Sequence, residues 1–466
     1  MTASSARSLY VVAAEYSAPP EADRVRAVFA RTTGDEPPEL LPLMEFAARR
    51  ALATVPRKAR LRARIDHLLL TTMPISGPGG ARAMPDEAMN LAALLQRSLA
   101  LPDRCVTRFE LGSSDGGAAL FASGVRLLQG LGEPTTALLV AGQVMPRGAR
   151  AIETVAQVIE GHEREMGLRM IPVGDLLLDA WWAQLSAHLG SPPRLQVQQD
   201  DRAVTVSNPT DLADFLAANK LRMAAEYPAA MRSAHKPERP GVPLARWLHD
   251  HHIAPACNGA CAVVLTTDEA VVRALVAAGH RRLVRVLGVG EGNDDPGLAR
   301  RKTPLLFQKA MRQSLVHLRR AVGVHIDFLR SSAFAVLHDA FPSIELGFLA
   351  SLGFDPLEAL DRAASYWPNP YGGLTAFGHA MAASGMVQIA KAHHILTRPA
   401  AYLPTRITER SFHPDQTRGA RPVHCLTTSV GGPVTHVVAS LLQSVPVRDG
   451  RLPPPFEPDR GDRMPD

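Results

Sequence analysis

The chain is 466 residues long and 46% hydrophobic, enough apolar material for one large core or two domain-sized ones, which excludes disorder for most of it. Its 51 basic against 45 acidic residues leave a formal charge of +6, spread rather than gathered in a tail; a nucleic-acid partner is not expected, whereas an arginine-rich excess suits a small anionic ligand, because guanidinium pairs bidentately with phosphate. The four cysteines, Cys105, Cys257, Cys261 and Cys425, have neither disulfide density nor zinc spacing. No secretion signal is visible and no apolar run nears the roughly 20 residues that span a bilayer, so a soluble protein of the reducing cytoplasm without a membrane span is expected.

Taken in chain order, the apolar run from Leu9 to Val12 reads as a strand, Leu40 to Thr54 as a helix and Ile65 to Thr71 as a second strand, which is α/β grammar. Small residues over Gly116 to Leu128 predict a buried helix, and Ala137 to Val144 returns as a strand. From about Gly148 to Ala254 the pattern loosens into helices and proline-bearing connections, read as an inserted cap. Alternation resumes with the strand from Cys261 to Leu265, then Leu283 to Leu287, the helix Leu305 to Val322 and the strand Phe334 to Leu337. The expected organisation is a first half over residues 1–255 carrying the insert at about 148–254, a second half over 256–447, and a disordered, proline-rich tail at 448–466.

Four short segments at strand ends stand where side chains and backbone amides meet a ligand at a sheet edge. Gly112-Ser113-Ser114-Asp115-Gly116-Gly117 opens the small-residue helix, whose dipole favours negative charge; an ordinary helix cap explains it equally. His338 follows a strand, where an imidazole can hold an oxyanion, move a proton or simply cap. Asn369-Pro370-Tyr371-Gly372-Gly373 leads to Gly378-His379, with glycines dense enough for close backbone approach to a ligand. Ser429-Val430-Gly431-Gly432 lies between two strands and is also compatible with a plain hairpin turn.

In this order the segments resemble the thiolase superfamily, most closely the sterol-carrier-protein type. His338-Asp339-Ala340-Phe341 is similar to the family's His-Asp-Cys-Phe, Asn369 to Gly373 with Gly378-His379 to its Asn-Pro-Ser-Gly-Gly and Gly-His-Pro, and Cys257-Asn258-Gly259-Ala260-Cys261-Ala262 to its Ser-Asp-Gly-Ala-Ala-Ala turn and strand. The resemblance implies an α/β fold, a thiolase-like five-layer αβαβα sandwich of two similar halves, usually a homodimer, in some relatives assisted by a small zinc-ribbon/OB-fold partner. It implies acyl-coenzyme A as substrate, with Asn369, Gly372, Gly373, Gly431 and Gly432 around the ligand and no tightly bound cofactor. Ser113 stands at the position of the nucleophilic cysteine, His379 and His338 at those of the activating and oxyanion histidines, and Ser429 where biosynthetic thiolases carry a second cysteine.

These departures bear on the chemistry. A serine hydroxyl is far less acidic than a thiol with pKa near 8.5, so Ser113 requires a general base, and His379 is the candidate. Ala340 and Ser429 leave no cysteine for a second half-reaction. The expected function is an acyl-CoA acyltransferase or a related C–C bond lyase, with Ser113 as nucleophile or spectator; retro-aldol cleavage of a β-hydroxyacyl-CoA needs a base and a stabilised enolate but no acyl carrier. The alternative is a non-catalytic subunit that binds CoA esters or stabilises a partner enzyme. A metal hydrolase built on His249, Asp250, His251 and His252 is a weaker reading, since no partner cluster is evident for that run.

Overall fold

The computed structural model describes residues 7–17, 40–76, 82–83, 90–145, 165–166, 169–199, 202–226, 242–301, 308–365, 367–402, 422–447, 450–458 and 461–463. Strand β1 (Tyr10–Ser17) is followed by helix α1 (Leu40–Thr54), β2 (His67–Thr72), α2 (Leu91–Ser98), β3 (Val106–Leu111), α3 (Gly116–Gly130) and β4 (Thr136–Gln143). The insert contributes α4 (Met170–Leu189), the hairpin β5 (Leu195–Gln199) and β6 (Arg202–Val206), and α5 (Pro209–Glu226). Then come β7 (Gly259–Thr266), α6 (Glu269–Ala277), β8 (Arg282–Asn293), α7 (Gln308–Val322), β9 (Phe334–Val336), α8 (Pro342–Ser351), α9 (Pro356–Ala364), α10 (Gly373–Phe377), α11 (Ser384–Thr397), β10 (Val423–Gly431) and β11 (His436–Pro446).

Nine strands form one mixed sheet in the order β9-β10-β11-β8-β1-β7-β4-β2-β3. β2 lies parallel to both β3 and β4, and β9 parallel to β10, while the remaining neighbours are antiparallel. The two halves of the sheet meet where β1 pairs with β8, Tyr10 with Arg285 and Val11 with Val284. One face of each half meets a shared layer made of α3 and α11, with Phe121, Val125 and Met386 packed among Leu139 and Val263 from one side and Val336 and Leu442 from the other. A helix enclosed between the two halves of the sheet is apolar around its whole circumference, and α3 accordingly buries Gly116, Ala118, Leu120, Phe121, Ala122, Gly124, Val125 and Leu128.

The outer layers differ. α1 buries Leu40, Leu43, Met44, Ala47, Ala48, Ala51 and Leu52, the three-and-four spacing of a one-faced helix, and packs with α2 and α6 on the first half. On the second half α7 and α8 join the insert, where Val173, Leu177, Trp181 and Phe215 pack with Phe341, Ile344 and Phe348. Helices, sheet, helices, sheet and helices make the five layers expected from sequence.

Two expectations need correcting. The strand from Gly259, read as opening the second half, lies between β1 and β4, with Tyr16 opposite Cys261 and Ala141 opposite the same residue; the first half is completed by a strand from beyond the insert. A fully apolar strand suits the interior of either half, so its composition does not choose between them. The tail read as disordered is described over 450–458 and 461–463, where Arg285 Nη2 donates to Pro454 O at 2.5 Å, His325 N donates to Asp462 O at 2.7 Å and the Phe456 ring meets Phe328 and His424. Its prolines lack N–H groups but not carbonyls or apolar surface, and these are what it uses.

Candidate functional site

The loops after β3, β9 and β10, the turn before α11 and the insert meet around one cavity of about 350 Å³. Its polar lining comes from Ser114, His338, His379, Arg169 and Asp250, among an apolar remainder that includes Met73, Ile253, Phe341, Ile344 and Met381.

His338 leaves the end of β9, where its backbone N–H donates to Thr428 Oγ1 at 3.2 Å. His379 follows Gly378, which has φ of 102°, and is held by its N–H donating to Pro255 O at 2.8 Å while its carbonyl accepts from Cys257 N. The two imidazoles stand edge to face with ring centres 5.1 Å apart. His379 Nδ1 is 2.7 Å from Ser384 Oγ, which leaves Nε2 for a ligand, and His338 Nδ1 has no hydrogen-bond partner among the described residues. Burial pushes the His379 pKa down to about 4; burial first, and then the His379 ring, holds His338 well below the usual histidine value. Both rings are therefore neutral at physiological pH, able to donate one hydrogen bond and accept another.

Behind them lies a buried charge network. Asp339 Oδ1 accepts from Leu374 N at 2.7 Å, and Glu345 forms a 2.7 Å ion pair with Lys220 from the insert. The Asp339 carboxyl is pushed up to about 7 by burial and then by Glu345, with Lys220 opposing. Asn369 sits in this network rather than in the cavity, its Oδ1 accepting from Leu337 N and its Nδ2 donating to Glu345 Oε2. Gly372 and Gly373, expected to approach a ligand, instead make room for protein: a Cβ at Gly373 would run into the Asp339 carboxylate, and one at Gly372 would lie 2.5 Å from Lys220 O. Their φ angles, 95° and 66°, lie in the left-handed region that favours glycine. Gly431 likewise abuts the Asp115 carboxylate, which leaves Gly432 as the one residue of that group lining the cavity.

Ser113 and Ser114 share the turn before α3 but face different surroundings. Ser114 lines the cavity and donates to Val430 O at 3.1 Å. Ser113 lies three residues before the first helical residue, and its Oγ accepts from Gly432 N at 3.3 Å, which places it beside the cavity's edge. Asp115, at the N-cap position, pairs with His436 Nδ1 instead of capping the helix. Ser429 is buried in β10 with no hydrogen-bond partner for its Oγ among the described residues and is absent from the lining, whereas Ala340 is part of it. The native thiols offer no nucleophile: burial, their leading influence, pushes Cys105 up to about 11 and Cys257 up to about 12, and Cys261 and Cys425 well above the usual thiol value.

The sequence reading missed Arg169, and it named Asp250 only as a metal candidate; both reach the cavity from the insert. Cys257-Asn258, assigned to a turn, follows the cavity-lining Ala256, which pairs with His379, and Asn258 Oδ1 accepts from Met145 N at 2.7 Å. No helix of the described residues is long and apolar enough to cross a membrane.

No family model and no curated protein matches the chain. Among solved structures it is similar to a monomeric SCP2-thiolase-like protein type 1 from Mycobacterium smegmatis, with a TM-score of 0.59 and 16% identity over 94% of this chain and 77% of that one. It is also similar to human mitochondrial 3-ketoacyl-CoA thiolase in complex with CoA (TM-score 0.58, 14% identity, 94% and 98% covered) and to the Acat5 thiolase of Ascaris suum in complex with coenzyme A (TM-score 0.56, 13% identity, 94% and 100% covered). Layer order, the helix pair between the two halves and near-complete coverage agree: this chain has the thiolase fold.

Proposed function

We propose that the protein binds an acyl-coenzyme A thioester and makes or breaks the bond between its Cα and Cβ without an acyl-enzyme, as in retro-aldol cleavage of a β-hydroxyacyl-CoA. The observation that carries this reading is the pair of neutral imidazoles 5.1 Å apart on an apolar cavity that holds no thiol. With Nδ1–H donating to Ser384 Oγ, His379 Nε2 accepts the β-hydroxyl proton. The Cα–Cβ bond breaks, its electron pair enters the thioester enolate, and an N–H of His338 holds the enolate oxygen. Return of a proton to Cα releases the shorter acyl-CoA, the other product being an aldehyde or ketone. Acyl transfer through Ser113 is the rival within the same fold. Against it, Ser113 Oγ is engaged by Gly432 N–H, and an oxyester enolises less readily than a thioester.

A panel of β-hydroxyacyl-CoA esters, assayed for carbonyl product, tests the proposal. His379→Ala and His338→Ala should each lower kcat by about 10²-fold or more, while Ser113→Ala should stay within a few-fold. Tight binding of the esters without turnover would favour a non-catalytic, CoA-ester-binding subunit, which the raised pKa of every native thiol also suits. Neither binding nor turnover would overturn both readings. The exposed edge strand β3, with Val106 and Leu111 turned to solvent, is the surface through which a homodimer would extend the sheet.

A further inference from the structure

Outside the cavity, one cluster joins residues far apart in sequence. The short turn Asp250–His252 follows His249, and all three imidazoles face helix α5, where Asp214 supplies a carboxylate; one ligand atom from each of Asp214, His249, His251 and His252 lies within 4.8 Å of the others. Asp214 is the partner that the histidine run lacked when read as sequence. Its Oδ1 is 2.7 Å from both His251 Nε2 and His252 Nε2, and its side chain is half exposed, so an ion has a path in.

The hydrogen bonds divide these residues by role. His249 N–H donates to His252 Nδ1 at 3.0 Å, so Nδ1 must be unprotonated and Nε2 carries the proton directed at Asp214. His252, fully buried, is thereby fixed as a donor to the carboxylate and cannot offer Nε2 as a ligand. His251 Nε2 makes a 2.7 Å hydrogen bond to the same Asp214 Oδ1, which an ion entering between them would replace, and its Nδ1 lies 3.8 Å from the Asp250 carboxylate. A metal-bound imidazole typically presents this arrangement, its second nitrogen turned to a carboxylate.

We propose that Asp214, His249 and His251 bind one divalent ion of the zinc class, with His252 positioning the Asp214 carboxylate. Three protein ligands of nitrogen and oxygen type leave a coordination position for water, and an ion at about 2.0–2.2 Å from each would open the contact between His251 Nε2 and Asp214 Oδ1. The ion would tie α5 to a turn whose Asp250, Ile253 and Ala254 line the cavity. Its consequence is a fixed cavity wall, a role separate from the chemistry proposed for His338 and His379.

The test is titration of the untagged, chelator-stripped full-length protein with Zn²⁺ against a competing chromophoric chelator, with Co²⁺ absorption as a second readout. One equivalent should bind and raise the thermal unfolding temperature. His249→Ala, His251→Ala and Asp214→Ala should each weaken binding by more than about 100-fold, and His252→Ala by about 10–100-fold, as expected of a residue holding a ligand. Unfolding of the His249→Ala protein in chelator, at the temperature of the stripped parent, shows that the variant is folded. Absence of stoichiometric binding, or binding undiminished in Asp214→Ala and His249→Ala, would overturn the site; loss in His252→Ala as complete as in His249→Ala would overturn the division of roles.

Discussion

Substituting Ser113 with cysteine asks whether the turn before α3 still favours an anion. A thiol there starts from a pKa near 8.5, and the N-terminus of α3 together with Gly432 N–H favours its thiolate against partial burial. At pH 7 about 3% is then thiolate, against roughly one part in ten thousand for Cys105 at about 11 and one in a hundred thousand for Cys257 at about 12. The thiolate ratio over Cys105 is about 300, but a less basic thiolate is also a poorer nucleophile, and a Brønsted coefficient of about 0.45 over roughly 2.5 pKa units removes a factor of about 13. Ser113→Cys should therefore be alkylated by iodoacetamide about 20-fold faster than Cys105 and, by the same reasoning, about 80-fold faster than Cys257, with poor access slowing the native thiols further. Site-resolved mass spectrometry over a time course at pH 7 measures this directly. A new thiol no faster than Cys105 would mean that the turn does not stabilise negative charge.

The Lys220–Glu345 pair links insert and second half at side-chain exposures of 4% and 2%, so Lys220→Met should cost about 3–5 kcal/mol by stranding a buried carboxylate, and adding Glu345→Gln should recover part of it; urea unfolding of both variants measures the difference. Asp339 provides a pH test. Its folded pKa of about 7 lies above the unfolded value of about 3.9, so its contribution is fully present below about pH 4 and is lost as pH rises through 7. In Asp339→Asn that loss should vanish, making the variant's stability relative to the parent rise from pH 5 to pH 8; a difference independent of pH would show that Asp339 does not titrate in that window.

The histidines were legible because each follows a feature with a strong local signature, an apolar strand before His338 and a glycine cluster before His379. Their convergence came from the family resemblance and not from the spacing of the residues; in the structure His379 is held by Pro255, which accepts its N–H from a segment more than a hundred residues away. The glycines were read as room for a ligand, and Gly373 and Gly431 are indeed room, but for the Asp339 and Asp115 carboxylates. Sequence shows that a Cβ is excluded and not what excludes it. Ser113 and Ser114 are equivalent as letters, and which side chain faces the cavity follows from the turn geometry and from Val430 O accepting the Ser114 hydroxyl. Arg169 had no signal and Asp250 only that of the histidine run around it, because the insert carries no periodicity that points at the cavity.

The position of β7 has a further consequence, for how the chain acquires its structure. β1 precedes both of its partners, β7 and β8, in the chain, so a nascent chain carries it as an unpaired, mostly apolar strand until about residue 266 has emerged. At about 5–20 residues per second that interval is on the order of tens of seconds. The first half cannot complete its sheet before β7 is made, and separately expressed halves cut at 255 would leave β1 with neither neighbour and β4 with β2 alone. Exposed strand edges of that kind recruit other chains, so productive folding in the cell depends on keeping β1 from other partners until the insert has been completed.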